Sequence, residues 1–91
     1  MLLNIKAIVI ALFLSIGLIQ PIAVYADEFE EAVEAVNRRD YETAYKMVVP
    51  LAEKGLAAAQ LVLGMMYFKG TGVEKNIVEA DKWLYIAEKF G

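Results

Sequence analysis

Residues Ala57 to Gly91 read AAAQLVLGMMYFKGTGVEKNIVEADKWLYIAEKFG. The first half places Ala59, Leu63, Met66 and Tyr67 at helical spacing. The run breaks at Lys69-Gly70-Thr71-Gly72-Val73, where two glycines one residue apart permit positive φ and reverse the chain. It restarts at Asn76, an N-cap residue type, with Glu79 three positions on in capping-box register. Ile77, Ala80, Trp83, Leu84 and Ala87 then form a second apolar stripe, and Gly91 stands where a helix stop belongs. The stretch therefore predicts a helix, a glycine turn and a second helix. Gly64 lies inside the first helix, where glycine costs about 1 kcal/mol relative to alanine. Close backbone approach is the expected compensation, with the Trp83 side chain resting on Gly64.

Half of this pattern occurs earlier in the chain. Shifting by 36 residues maps Asp40 onto Asn76, Ala44 onto Ala80, Met47 onto Trp83, Leu51 onto Ala87 and Gly55 onto Gly91. Cap, small residue, large apolar residue, apolar residue and stop glycine recur in order. A period in the thirties is typical of helix-pair solenoids. Ala59, Leu63-Gly64, Tyr67, Gly70-x-Gly72-Val73, Ala80, Trp83, Ala87 and Gly91 together resemble the Sel-one-like repeat, a relative of the tetratricopeptide repeat. The resemblance covers residues 40–91. It implies an all-α fold of antiparallel helix pairs, a short α/α solenoid, with a half repeat over about 28–55 and a full repeat over about 56–91. It further implies an adaptor in protein assemblies, in a family with many exported bacterial members.

The rest of the chain fits this reading. Met1 to Lys6 carries one positive charge, Ala7 to Ile19 is almost wholly apolar, and Gln20-Pro21 precedes Val24-Tyr25-Ala26. This is the layout of a secretory signal over residues 1–26, with cleavage expected after Ala26 and the product periplasmic or secreted. The alternative is a retained N-terminal helix, which would make the protein a membrane-anchored regulatory subunit. The apolar core of about 13 residues is short of the roughly 20 needed to span a bilayer. Beyond it, Phe29, Ala32, Val33 and Val36 mark an amphipathic helix over 28–39 whose other face is acidic. Tyr41, Ala44, Tyr45, Val48 and Leu51 mark a helix over 41–54 with Asp40 as its cap. Pro50 lies inside that helix, so a kink or break is expected there. The other two helices are expected over 57–69 and 76–90.

Composition excludes most chemistry. The chain has nine basic and twelve acidic residues, and the segment from Met1 through Ala26 holds one lysine and no acid. The remainder is therefore net acidic, which argues against nucleic acid and against anionic lipid. Cysteine and histidine are both absent, which removes thiolate chemistry, the commonest general base and the commonest transition-metal ligand. No triad, no carboxylate pair and no phosphate loop is present; Gly70-Thr71-Gly72 lacks the longer lysine-containing pattern. No cofactor, metal or catalytic residue is expected. Some cysteine-rich relatives in the resembled family are β-lactamase-like, but this chain lacks their cysteines and an S-x-x-K nucleophile motif.

What remains is binding to a protein or peptide, or to a second copy as a homodimer. Tyr67 and Trp83 occupy repeat positions and are expected in the core. Phe68, Tyr85 and Phe90 cannot all point inward on the same helical faces, so these three are the candidate partner contacts. A solenoid normally closes with a polar capping helix, so self-association or docking through the last helix is the further expectation.

Overall fold

The computed structural model describes residues 22–91, which form four helices and, among the described residues, no strand. They are α1 (Ile22–Asn37), α2 (Tyr41–Glu53), α3 (Ala57–Lys69) and α4 (Ile77–Phe90). The all-α expectation holds. Each helix packs on the next in sequence, as short connections between amphipathic helices dictate. The expected leader lies outside the described residues as far as Pro21.

The helix ends follow from local chemistry. The α1 stop is a Schellman motif: Asp40 N–H donates to the Ala35 carbonyl (2.8 Å) and Arg39 N–H to that of Val36 (2.9 Å). This places Arg39, a non-glycine, at φ 63°. The α2 stop repeats the geometry one helix later, with Leu56 N–H donating to Leu51, Gly55 N–H to Ala52, and Gly55 at φ 97°. Gly70 ends α3 in the left-handed region at φ 71°. At the other ends, the side chain of Asp40 accepts from Thr43 N–H (3.4 Å) and that of Asn76 from Glu79 N–H (3.1 Å). Each satisfies one of the donors that a helix start leaves open.

The core lies along the helix seams. Ala32 of α1, Val48, Leu51 and Ala52 of α2, and Ala59 and Leu63 of α3 form one buried cluster, with Trp83 of α4 packed against it. Ala35, Ala44 and Met66 form a second, closed by Val36, Tyr41, Tyr45, Val62 and Val73. Alanine is the commonest buried residue, since closely approaching helices favour small side chains, and Val48, Leu51 and Leu63 supply the bulk. Ala35, Ala44, Ala59 and Ala80 are fully buried. Positions 36 residues apart share environments: Ala44 and Ala80 are buried, as are Leu51 and Ala87, and Asp40 and Asn76 are both caps.

Four expectations are corrected. The α1 helix begins at Ile22, not 28, and ends at Asn37, not 39, because the Arg39 turn stops it. Pro50 does not break α2, which runs unbroken to Glu53. Proline removes a single N–H and sits on an exposed face within the last turn, so the α2 backbone continues. The side chain against Gly64 is that of Leu84, not Trp83: a Cβ added at Gly64 would stand 2.8 Å from both Leu84 Cγ and Cδ2, and 3.3 Å from the Ala80 carbonyl oxygen. The Asn76 cap is half a capping box, because the Glu79 carboxylate turns to Lys82 Nζ (2.9 Å) while Asn76 N–H donates to the Tyr67 carbonyl.

Candidate functional site

Helix α3 has an unusual composition for a surface element. Its sequence, AAAQLVLGMMYFK, contains one charge, Lys69, in the last turn. A helix apolar on every side is normally enclosed by protein. One side of α3 is enclosed: Ala59, Gln60, Leu63, Gly64 and Met66 are buried against α2 and α4. The other side is not. Leu61, Met65 and Phe68 stand at i, i+4 and i+7 with exposures of 48%, 49% and 54%.

This open side continues into a groove toward α1. Val33 and Val36 of α1, Val62, Met65, Met66 and Lys69 of α3, and Tyr41 and Thr71 at its end enclose about 270 Å³. The register follows from the helix period, since Val33 and Val36 share one edge of α1, and Val62, Met65 and Lys69 share one edge of α3. Enclosed small-molecule pockets start at about 300 Å³. A shallow apolar groove below that size is better matched to side chains projecting from a peptide.

Charge is arranged around the groove and not in it, Lys69 excepted. On α1, Glu30 and Glu34 lie beyond Val33 on the side away from Val36, and Asp27, Glu28 and Glu31 extend the acidic face. Among the described residues the one ion pair is Lys82–Glu79 on α4, so none of the α1 acids is ion-paired. Lys69, exposed, stands beside Thr71 at the end of the groove.

The three candidate partner contacts are all exposed but are not brought together. Phe68 belongs to the open side of α3. Tyr85, on α4, lies beneath the Lys89 ammonium, 5.9 Å from the ring centroid. Phe90 lines a separate depression with Tyr25, Lys54 and Gly55. A search for aromatics misses Leu61, Val62 and Met65, whose signal in the sequence is the absence of charge along α3. The packing candidates are placed as follows. Ala59, Leu63, Gly64, Ala80 and Ala87 are buried, and Tyr67 and Trp83 are half-buried. Gly70 and Gly72 form the turn at positive φ.

Two polar features lie in the helix seams. Tyr45 and Tyr67 share a hydroxyl–hydroxyl hydrogen bond of 2.9 Å, their rings edge to face with centroids 6.0 Å apart. That bond from Tyr45, followed by burial, pushes the Tyr67 phenol up to about 12. Gln60 donates from Nε2 to the Ala52 carbonyl (3.1 Å), while its Oε1 is buried with no partner. Neither feature opens on the groove as an acid, base or nucleophile. Among the described residues no cluster of three or more acids could hold a metal ion, and no helix is long and apolar enough to cross a membrane. No protein-family model, curated protein or solved structure matches the chain.

Proposed function

We propose that the protein is an exported helical-repeat adaptor that holds a segment of another protein in the groove between α1 and α3. The observation that carries this is α3 itself: a helix with almost no polar side, left half open along Leu61, Met65 and Phe68. Contiguous exposed apolar surface of this kind marks interaction sites. Burying a large apolar side chain fully is worth about 1.5–3 kcal/mol. Three that are already half-buried offer roughly 3–4 kcal/mol on being covered, a useful share of a micromolar interaction at about 8 kcal/mol. The Sel-one-like pattern supports the adaptor role, as do the equivalent caps and buried positions one repeat apart. The leader-like segment through Ala26 supports a periplasmic or secreted location. No catalytic, cofactor or metal role enters the proposal.

The test is selection of displayed random peptides on the full chain, with counter-selection on a Met65→Lys variant. Selected peptides are expected to carry apolar residues at helical spacing and to shift the NMR signals of Val33, Val36, Val62 and Met65. Shifts confined to Tyr85 and Phe90 would move the site to α4 and overturn the groove reading.

A further inference from the structure

We infer that the occupant of the groove is a cationic amphipathic helix, its apolar edge on α3 and its basic residues over the acidic face of α1. This rests on the groove being the binding site and adds the chemistry of what binds there.

Leu61, Met65 and Phe68 extend over two turns of α3, and Val33, Val36 and Val62 line the adjoining trough. A straight ridge-and-trough surface bounded by two helices matches the i, i+3, i+4, i+7 stripe of a third helix. Along α1, Asp27 and Glu31 are four apart, as are Glu30 and Glu34. Like charges at that spacing repel and weaken a helix. All of them are exposed, and no lysine or arginine pairs with them among the described residues. A helix lying in the trough has Glu30 and Glu34 along its outer flank, because at about 100° per residue both follow Val33 around α1 on the side away from Val36. Lysine or arginine on that flank gains two attractions and relieves two repulsions. Lys69 stands at the Thr71 end of the groove, where it favours the negative C-terminal end of a bound helix. The occupant therefore runs with its C-terminus toward Lys69. A second copy of this chain suits the site poorly, because its α1 face is acidic, α3 offers one cation, and α4 sets Lys82 and Lys89 against Glu79, Asp81 and Glu88.

The experiment uses the full-length protein and two synthetic peptides of about 18 residues, some 27 Å when helical. Both carry leucine at i, i+3, i+4 and i+7; the remaining positions are lysine in one and glutamate in the other. Binding is followed by fluorescence anisotropy of labelled peptide. The lysine peptide is expected to bind at least ~10-fold tighter at low salt, and the gap to shrink below ~3-fold in 1 M salt, where the Debye length is about 3 Å. The double variant Glu30→Lys, Glu34→Lys is expected to reverse the preference with no loss of helical signal. Met65→Lys is expected to weaken the lysine peptide by ~10-fold or more, through both lost apolar contact and added repulsion. Equal binding of the two peptides, or tighter binding of the glutamate peptide, overturns the cationic occupant and leaves the groove reading standing. Binding insensitive to Met65→Lys overturns both. Failure of either peptide to bind while the segment preceding Ile22 is present, with binding restored when that segment is removed, assigns the groove to the chain's own leader and overturns a foreign helix. Failure of both forms to bind overturns the inference outright.

Discussion

Two glycine-to-alanine changes separate backbone strain from steric contact in this fold. Gly55 and Gly72 both have positive φ, 97° and 77°. They differ in what surrounds them. A Cβ at Gly55 meets nothing within 4 Å, whereas at Gly72 it collides with the Tyr41 carbonyl oxygen and comes 2.9 Å from Met66 Cε. Gly55→Ala therefore suffers the left-handed penalty alone, about 1–2 kcal/mol. Gly72→Ala suffers the same penalty plus overpacking of about 1–3 kcal/mol, because a backbone carbonyl cannot rotate aside. A domain of this size has about 3–10 kcal/mol of total stability. Gly55→Ala is expected to fold and melt about 4–15 °C lower, and Gly72→Ala to be at the edge of unfolding at room temperature. Urea titration followed by far-ultraviolet circular dichroism, with Trp83 fluorescence as a second probe, reads both. Equal destabilisation by the two changes would refute the claim that the Gly72 loop is held against the start of α2 by close approach.

Other outcomes follow from the polar features. The Tyr67 phenol is raised to about 12 against an ordinary value of 10, so the folded state holds its proton more tightly than the unfolded chain does, and the contribution to stability is complete below pH 10 and fades as pH climbs toward 12. Ultraviolet titration should show one tyrosine ionising near pH 12, and Tyr67→Phe should abolish that step. The same variant leaves the Tyr45 hydroxyl without its partner and should cost about 1 kcal/mol in urea unfolding at pH 7. Gln60→Met should be neutral or stabilising by up to about 1 kcal/mol, since it removes an unpaired buried oxygen. The Ala52 carbonyl released by that change still accepts from Gly55 N–H. Leu63→Ala, at a fully buried position, should cost about 2–5 kcal/mol, and a loss under about 1 kcal/mol would show that the α2–α3 seam is looser than described.

The elements are legible in the sequence wherever their cause is local. Asp40 and Asn76 cap helices because their short side chains reach an N–H three residues on, and that depends on nothing distant. Gly70 and Gly72 turn the chain for a reason equally local. Contacts set by how two helices cross are less legible. Leu84 and not Trp83 meets Gly64 because neighbouring residues on α4 differ by about 100° of rotation, and composition does not fix that angle. That residues 22–27 are helical is hidden because an apolar leader pattern and an apolar helix use the same residue types. Pro50 signals a break by its own chemistry, and only its position near the helix end makes it tolerable. The groove is the least legible part. It belongs to α1 and α3 jointly, elements with the whole of α2 between them in the chain, and neither helix shows it alone. Its one sequence trace is an α3 with a single charge, in which the apolar stripe of core residues hides the exposed apolar residues beside it.

The start of α1 at Ile22 sets an order of events for the young chain. The expected cut after Ala26 falls within that helix, and the ring of Tyr25, just before the cut, packs against the main core cluster beneath the Lys54 ammonium. A protease needs a strand it can draw into its cleft, and a helical turn docked on a folded domain resists this. On the proposal that the chain is exported and cut after Ala26, trimming belongs to the time before α1 and α2 close on each other. A chain that folds first would then keep Tyr25 as a latch, and the rate of folding relative to the rate of cutting would decide which of two lengths accumulates.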